Sequence, residues 1–258
     1  MSTARARRFS RMQSVGPEPE LRLVAARAAG AQFIDVGANA GLYTGMALDA
    51  RASSVIAVEP IPELAALLRT KFGRRVSVLE CAMSAEPGES TLTVPVVHGV
   101  VRQTRASLST GDAPVGSTVR VSLATLDSLS PARGAMVKVD VEGHELDVMA
   151  GAAKTLESKC VSTWLIEAEV RNQPTAVSDL SSMMDGYGYT GWAVLPDTLI
   201  PVRRFDPAVH QSTADQDVVA QGGPRPAGYA NNFCFVPQED EEPFLAACEA
   251  HGFATVRS

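Results

Sequence analysis

The segment Phe33-Ile34-Asp35-Val36-Gly37-Ala38-Asn39-Ala40-Gly41 restricts the fold around it more than any other stretch of the chain. Gln32–Val36 is a short apolar run, Gly37 and Gly41 bracket a turn, and Leu42–Ala50 reads as a helix. A strand passing through a glycine turn directly into a helix is a building unit of α/β folds. Glycine allows the tight turn and a close approach of ligand to backbone, and the helix start offers free N–H groups. Taken alone, the same glycines can serve only to reverse the chain.

The alternation continues beyond it. Ser54–Val58 is a second strand candidate ending at Glu59-Pro60, and Pro62 opens a helix running to Phe72. Val76–Ala82, Ala135–Val139, Thr163–Ile166 and Asn231–Val236 complete the strand candidates, with helices expected over Glu145–Leu156 and Glu242–His251. Near-continuous apolar strands argue for a mostly parallel sheet covered by helices on both faces. Two segments break the pattern. Residues 84–122 read as an antiparallel insertion, and residues 196–230, rich in Pro, Gly, Asp and Gln, read as a long loop of the kind that carries function or is disordered. The expected organisation is a tail and helix over 1–30 and one domain over 31–258.

Composition excludes several classes. A net charge of −6 over 258 residues makes nucleic acid a poor default partner. Cys81, Cys160, Cys234 and Cys248 lack a CxxC spacing, so reduced thiols in a cytoplasmic protein are expected, not a disulfide framework or zinc site. No apolar run is long enough for a membrane span, and the N-terminal arginines are followed by no apolar signal core. Arginine and alanine far outnumber lysine, which reads as the coding bias of a GC-rich bacterium.

Two groups of residues carry chemistry. Glu59 ends the second strand, where an acidic residue in doubly wound folds accepts hydrogen bonds from ribose hydroxyls. With the 37/41 glycines and Asp35 leading, the spacing departs from the G-x-G-x-x-G of dinucleotide sites, so a NAD(P)-dependent oxidoreductase is the less favoured reading. The second group is Lys138-Val-Asp140-Val-Glu142-Gly143-His144-Glu145, joined by Glu167 and Glu169 from the next strand end. Oxygen ligands at adjacent strand ends suit Mg²⁺, for which Asp140, Glu167 and Glu169 are the candidates. Histidine is the usual base near neutral pH, so Asp140, Glu142 and His144 are the catalytic candidates. Glu142 and Glu145 can equally cap the following helix, with His144 a plain polar residue.

Together the runs IDVGANAGLYT, VEP at 58–60, ATLDSL at 124–129, VKVDVEGHE at 137–145, LIEAE and NNFCFVP at 231–237 resemble the FkbM family of class I methyltransferases. The resemblance spans about residues 31–237. It implies a Rossmann-like α/β fold with a seven-stranded, mostly parallel sheet. It also implies S-adenosylmethionine as methyl donor and O-methylation of a hydroxyl on a sugar, glycan or polyketide. Actinobacterial members acting on glycans, mannosides of methylmannose polysaccharide among them, are the most similar in layout. Carried over residue by residue, Asp35, Gly37, Asn39 and Gly41 would hold the methionine part of the donor and Glu59 the ribose, with Ala38, Tyr43, Thr44 and Pro60 also counted as donor-binding. Ala82 and Met83 would lie along the adenine, Ser107 near the donor, and Asp140 under the sulfonium. The acceptor is expected to be a small molecule or oligosaccharide, bound near residues 196–230, in a monomer or homodimer.

Overall fold

The apolar runs become sheet strands in the computed structural model, which describes residues 18–97, 100–101, 107–108, 116–220 and 226–257. In chain order these are β1 (Gln32–Val36), β2 (Ser54–Val58) and β3 (Ser77–Leu79), then β4 (Ala82–Met83), β5 (Gly88–Val97), β6 (Val100–Val101), β7 (Ser107–Leu108) and β8 (Gly116–Ala124). There follow β9 (Ala135–Val139), β10 (Val161–Glu167), β11 (Tyr189–Val194), β12 (Thr198–Pro201), β13 (Asn232–Pro237) and β14 (Ala254–Thr255). Among the described residues the larger sheet has nine strands in the order β14-β12-β11-β13-β10-β9-β1-β2-β3. Strands β3, β2, β1, β9 and β10 pair in parallel, and β13 lies antiparallel to both β10 and β11.

Side-chain alternation divides the core in two. Phe33, Met136 and Leu165 point to one face, packed with Trp192 and Phe244, while Ile34, Val137 and Trp164 point to the other, packed with Leu180 and Phe233. The helices are α1 (Glu20–Arg27), α2 (Leu42–Asp49), α3 (Pro62–Phe72), α4 (Glu145–Ala150), α5 (Ala153–Ser158), α6 (Ala176–Gly186), α7 (Pro207–His210), α8 (Thr213–Ala220) and α9 (Glu241–Ala250). The chain runs from β1 to β2 on one side and joins the β9–β10 half on the other. The carboxyl ends of β1 and β9 therefore flank the topological switch point, where open α/β sheets hold ligands.

Three expectations change in detail. The helix foreseen over 145–156 is two helices, α4 and α5, broken at Gly151, where a Cβ would lie 2.1 Å from the Ser84 carbonyl oxygen. The close approach of the Ser84 backbone fixes the break. Residues 196–230 are not one long loop, because β12, a 3₁₀ turn over Val202–Arg204, α7 and α8 fall within them. With β14, β12 extends the seven-strand core order by two strands. The antiparallel insertion is present as β5 paired with β8 from Gly88↔Leu123 to Pro95↔Gly116, beside the main sheet.

Candidate functional site

A cleft of about 870 Å³, counting its open mouth, lies over the switch point. The loops after β1, β2 and β9 build its floor. Gly37 has φ 81°, which L side chains rarely adopt, and a Cβ there would fall 1.8 Å from the Asp140 carbonyl oxygen. The Gly37 and Ala38 N–H groups both donate to the Val58 carbonyl at 3.0 Å, and Asp140 N–H donates to the Val36 carbonyl at 3.0 Å. Three strand ends are thus tied through one glycine. Gly41, with φ 78°, is bare because Leu68 and Phe72 of α3 come within 2.6 Å of where its Cβ would be.

Glu59 closes one side. Its Oε2 accepts the Asn39 N–H at 2.7 Å and its Oε1 accepts the Ile61 N–H at 2.9 Å. Burial raises its carboxyl above the ordinary value, and these two N–H groups oppose the rise. Each oxygen keeps a lone pair for a ligand hydroxyl. Beside Glu59 the cleft wall is apolar, formed by Ile61, Ala82, Met83 and Leu92 of the insertion. Opposite lie Asp140, Glu142 and His144.

Beneath the acidic end sits a buried lysine that the residue pattern alone gave no role. Lys138 is 1% exposed, its Nζ is 2.8 Å from Asp140 Oδ2, and it lies 4.4 Å from the centroid of the Tyr43 ring. Register places Lys138 directly across from Asp35, whose Oδ2 accepts the Thr44 hydroxyl at 2.5 Å. Burial opposes the lysine charge, but Asp140, Glu167 and Asp35 outweigh it and raise its pKa. Burial likewise pushes Asp140 up, and Lys138 with hydrogen bonds from Glu167 and Lys138 holds it below the ordinary value. Glu167 takes the opposite course, raised well above it by burial and by Asp140. The Lys138 side of the pair thus favours charge on Asp140 and the proton on Glu167.

Glu142 has φ 54°, unusual for a residue with a long side chain, and burial followed by Asp140 raises its carboxyl to about 7. His144 stands before α4 with Nδ1 3.4 Å from Asp147 Oδ2. Glu145 faces inward as a loop clasp, its Oε1 accepting the N–H groups of Gly143 at 3.0 Å and Val141 at 3.3 Å.

Of the residues expected at the donor, Gly37, Asn39, Glu59, Pro60, Ala82, Met83 and Asp140 line the cleft. Asp35, Ala38, Gly41, Tyr43 and Thr44 support it from behind: Asp35, Ala38, Gly41 and Thr44 are buried. Ser107 belongs to β7, which pairs with β5 beside Leu92. The three proposed metal ligands are not left open to an ion. Glu169 accepts from Tyr229 at 2.7 Å and Asn231 at 3.2 Å and is ion-paired with Arg171, while Asn231 also donates to Glu167 at 2.5 Å. Among the described residues no group of three or more His, Cys, Asp and Glu side chains is arranged to hold a metal ion. The donor set does not fit Mg²⁺, whose octahedral shell requires free carboxylate oxygens, and the Lys138 ammonium already supplies positive charge there.

The residues missed by sequence reading cluster behind this site. Gln211 is 2% exposed, its Oε1 accepting the Val170 N–H and its Nε2 donating to the Ala168 and Ala230 carbonyls, each at 2.8 Å. With Tyr229 and Asn231 it pins the 196–230 region to the strand end that carries Glu167 and Glu169. Its pairing partners lie 19 to 43 residues away in the chain, so no local pattern announces it.

A family model described as the methyltransferase FkbM domain matches residues 35–190, more than half of the chain. The protein belongs to the FkbM methyltransferase family. The resemblance carried by the ordered motifs is thereby confirmed, and the nicotinamide-oxidoreductase alternative is set aside. Among solved structures this FkbM protein is similar to methyltransferase FkbM from Methylobacillus flagellatus KT, with 14% identity and a TM-score of 0.50 over 80% of this chain and 44% of that one. The chain thus spans under half the length of that relative. Looser likenesses include a TehB-like S-adenosylmethionine-dependent methyltransferase from Corynebacterium glutamicum (12% identity, TM-score 0.42, 90% and 94% covered). Another is an rRNA methylase from Streptococcus thermophilus (9% identity, TM-score 0.43, 84% and 91% covered). At these identities the likeness concerns the fold. No curated protein matches the sequence. Among the described residues no helix is long and apolar enough to cross a membrane.

Proposed function

We propose that this FkbM-family methyltransferase takes S-adenosylmethionine in the switch-point cleft and methylates a hydroxyl of a sugar or glycan. The observation that carries the donor half is the two-sided lining around Glu59. An apolar wall of Ile61, Ala82, Met83 and Leu92 suits a nucleobase, Glu59 keeps lone pairs for ribose hydroxyls, and the acidic end at Asp140 and Glu142 suits a cation. When bound, the donor supplies an electrophilic methyl group on a sulfonium. Gly37 gives it room, Asn39 N–H holds Glu59 in place, and Lys138 keeps Asp140 ionised beside it.

On the acceptor side, a hydroxyl needs to lose its proton as its oxygen becomes the nucleophile. His144 lines the cleft, and Asp147 stands at its Nδ1, so its imidazole is the group placed to take the proton. Gln211 and Tyr229 hold their segments against the strand end that carries Glu167 and Glu169, which favours acceptor entry from that side. A polyketide hydroxyl is the second acceptor class; the acids Asp140 and Glu142 in the cleft lining favour the polyhydroxylated one. Calorimetry with S-adenosylhomocysteine on the wild type and on Glu59→Ala tests the donor reading. Micromolar binding lost in the variant is expected, and equal binding by both overturns it. Transfer of labelled methyl to a panel of sugars and glycans tests the acceptor.

A further inference from the structure

A second concavity lies outside the cleft. It is a groove of about 1260 Å³ between α6 and the turn that follows β12. Its walls carry Ser178, Ser181 and Ser182 on α6, with Asp185 one turn further, facing Arg203 and Phe205 across the gap. The three serines and Asp185 fall at helical spacing on one side of α6, while Val177, Leu180 and Met184 of the same helix are buried in the core. The hydroxyl row is therefore a built face of the groove. The Phe205 ring is fixed at its site, stacked on His210 at 5.4 Å and set edge-on to Phe233 at 5.1 Å.

The loop after β10 stands between the groove and the cleft. Val170 and Pro174 line the groove and bracket Arg171 and Asn172. Arg171 pairs with Glu169 and acts on Glu142, and Asn172 covers Gly143, where an added Cβ would lie 3.3 Å from the asparagine Cβ. A ligand lying along α6 thus ends beside the Glu142–His144 loop.

The lining selects among ligand classes. A nucleic acid backbone needs a row of cations, and this groove sets one guanidinium against one carboxylate. Ser178 donates its hydroxyl to the Thr175 carbonyl at 2.9 Å, but an apolar chain would leave the Ser181 and Ser182 hydroxyls and Asp185 dry. Hydroxyl donors and acceptors along one wall, a rigid aromatic face on the other and no net charge match a chain of pyranose rings, whose rims are polar and whose faces are apolar.

We propose that the groove is an acceptor subsite for a neutral oligosaccharide, holding the sugar units next to the one methylated in the cleft. It rests on the sugar-acceptor reading above. The test uses the full chain loaded with S-adenosylhomocysteine, with linear mannotetraose, maltotetraose and methyl α-mannopyranoside as probes. One tetrasaccharide is expected to bind at least about tenfold more tightly than the monosaccharide glycoside, and Ser182→Trp, on an exposed wall position, is expected to erase that gain. Asp185→Ala, also exposed, gives the same readout without added bulk. Tetrasaccharide binding unaffected by both variants, or affinity independent of chain length, overturns the groove assignment and leaves the sugar-acceptor reading standing. If no sugar binds while S-adenosylhomocysteine does, both the groove and the sugar acceptor fall, and the donor reading survives.

Discussion

Gly37 and Asp140 meet so closely that a Cβ on the glycine would stand 1.8 Å from the aspartate carbonyl oxygen. The donor turn and the carboxylate loop, 103 positions apart in sequence (140 − 37), are thus one packed unit.

Gly37→Ala is therefore expected to damage both at once. The methyl group meets backbone, which has no rotamer with which to yield, and φ 81° adds strain of its own. A loss of about 3 kcal/mol or more in urea unfolding is expected, with S-adenosylhomocysteine binding lost in whatever fraction folds. A stable variant with native affinity would show that the turn can move away from Asp140.

Lys138→Met tests the charge arrangement. The variant keeps the volume but leaves Asp35, Asp140 and Glu167 without their central cation. Asp140, held below its ordinary value, contributes stability above about pH 4 that fades as pH falls through its folded pKa. The variant should therefore lose about 3–5 kcal/mol at pH 8 and distinctly less near pH 4.5, where the orphaned carboxyls take protons. Denaturant melts at the two pH values measure this; an equal loss at both would assign Lys138 a packing role only.

Gln211→Leu removes three hydrogen bonds at 2.8 Å and leaves Val170 N–H and two carbonyls dry. About 2–4 kcal/mol of destabilisation is expected. Protease nicking between residues 196 and 230 should rise more than elsewhere, because Gln211 ties this region down. Uniform nicking would mean that the staple serves the whole fold.

The contrast between Gln211 and Val137 explains what sequence reading could reach. Val137 sits in an unbroken apolar run, and such runs fix strand positions locally; β1, β2 and β9 begin and end where the pattern places them. Glycines and acids at strand ends then mark the ligand edge without knowledge of tertiary structure. Gln211, Tyr229 and Asn231 act through partners 19 to 64 residues away, so their polar letters look like loop composition. Lys138 was visible but uninterpretable, since its meaning depends on register with Asp35 across β1 and β9. The expected metal set failed for the same reason: Glu167 and Glu169 were already engaged by Tyr229 and Asn231 just before β13, and Asp140 by Lys138.

Glu142→Gln should change the pH dependence of stability. Its carboxyl is raised from 4.5 to about 7, so between these values the folded chain binds more protons than the unfolded one, and stability falls as pH rises. The neutral variant escapes that loss. It should match the wild type near pH 4 and exceed it by about 1–3 kcal/mol at pH 8, a figure kept low because the side chain is only partly buried. A variant less stable at pH 8 would mean that Arg171 outweighs burial at this position.

His144→Ala separates the two groups able to take the acceptor proton. His144 and Glu142 line the same cleft as Gly37 and Glu59, the residues proposed to hold the donor. Removing a general base costs about 10²–10⁴ in rate while leaving ground-state contacts in place. The expected result is therefore a kcat lowered by that factor with S-adenosylhomocysteine affinity unchanged, since Glu59 and the apolar wall are intact. The Glu142→Gln variant distinguishes the roles by its pH profile. If His144 is the base, this variant keeps the acid limb of kcat, and His144→Ala loses it. If the limb instead disappears in Glu142→Gln and survives in His144→Ala, the strained carboxylate at φ 54° is the base, and His144 only frames the acceptor.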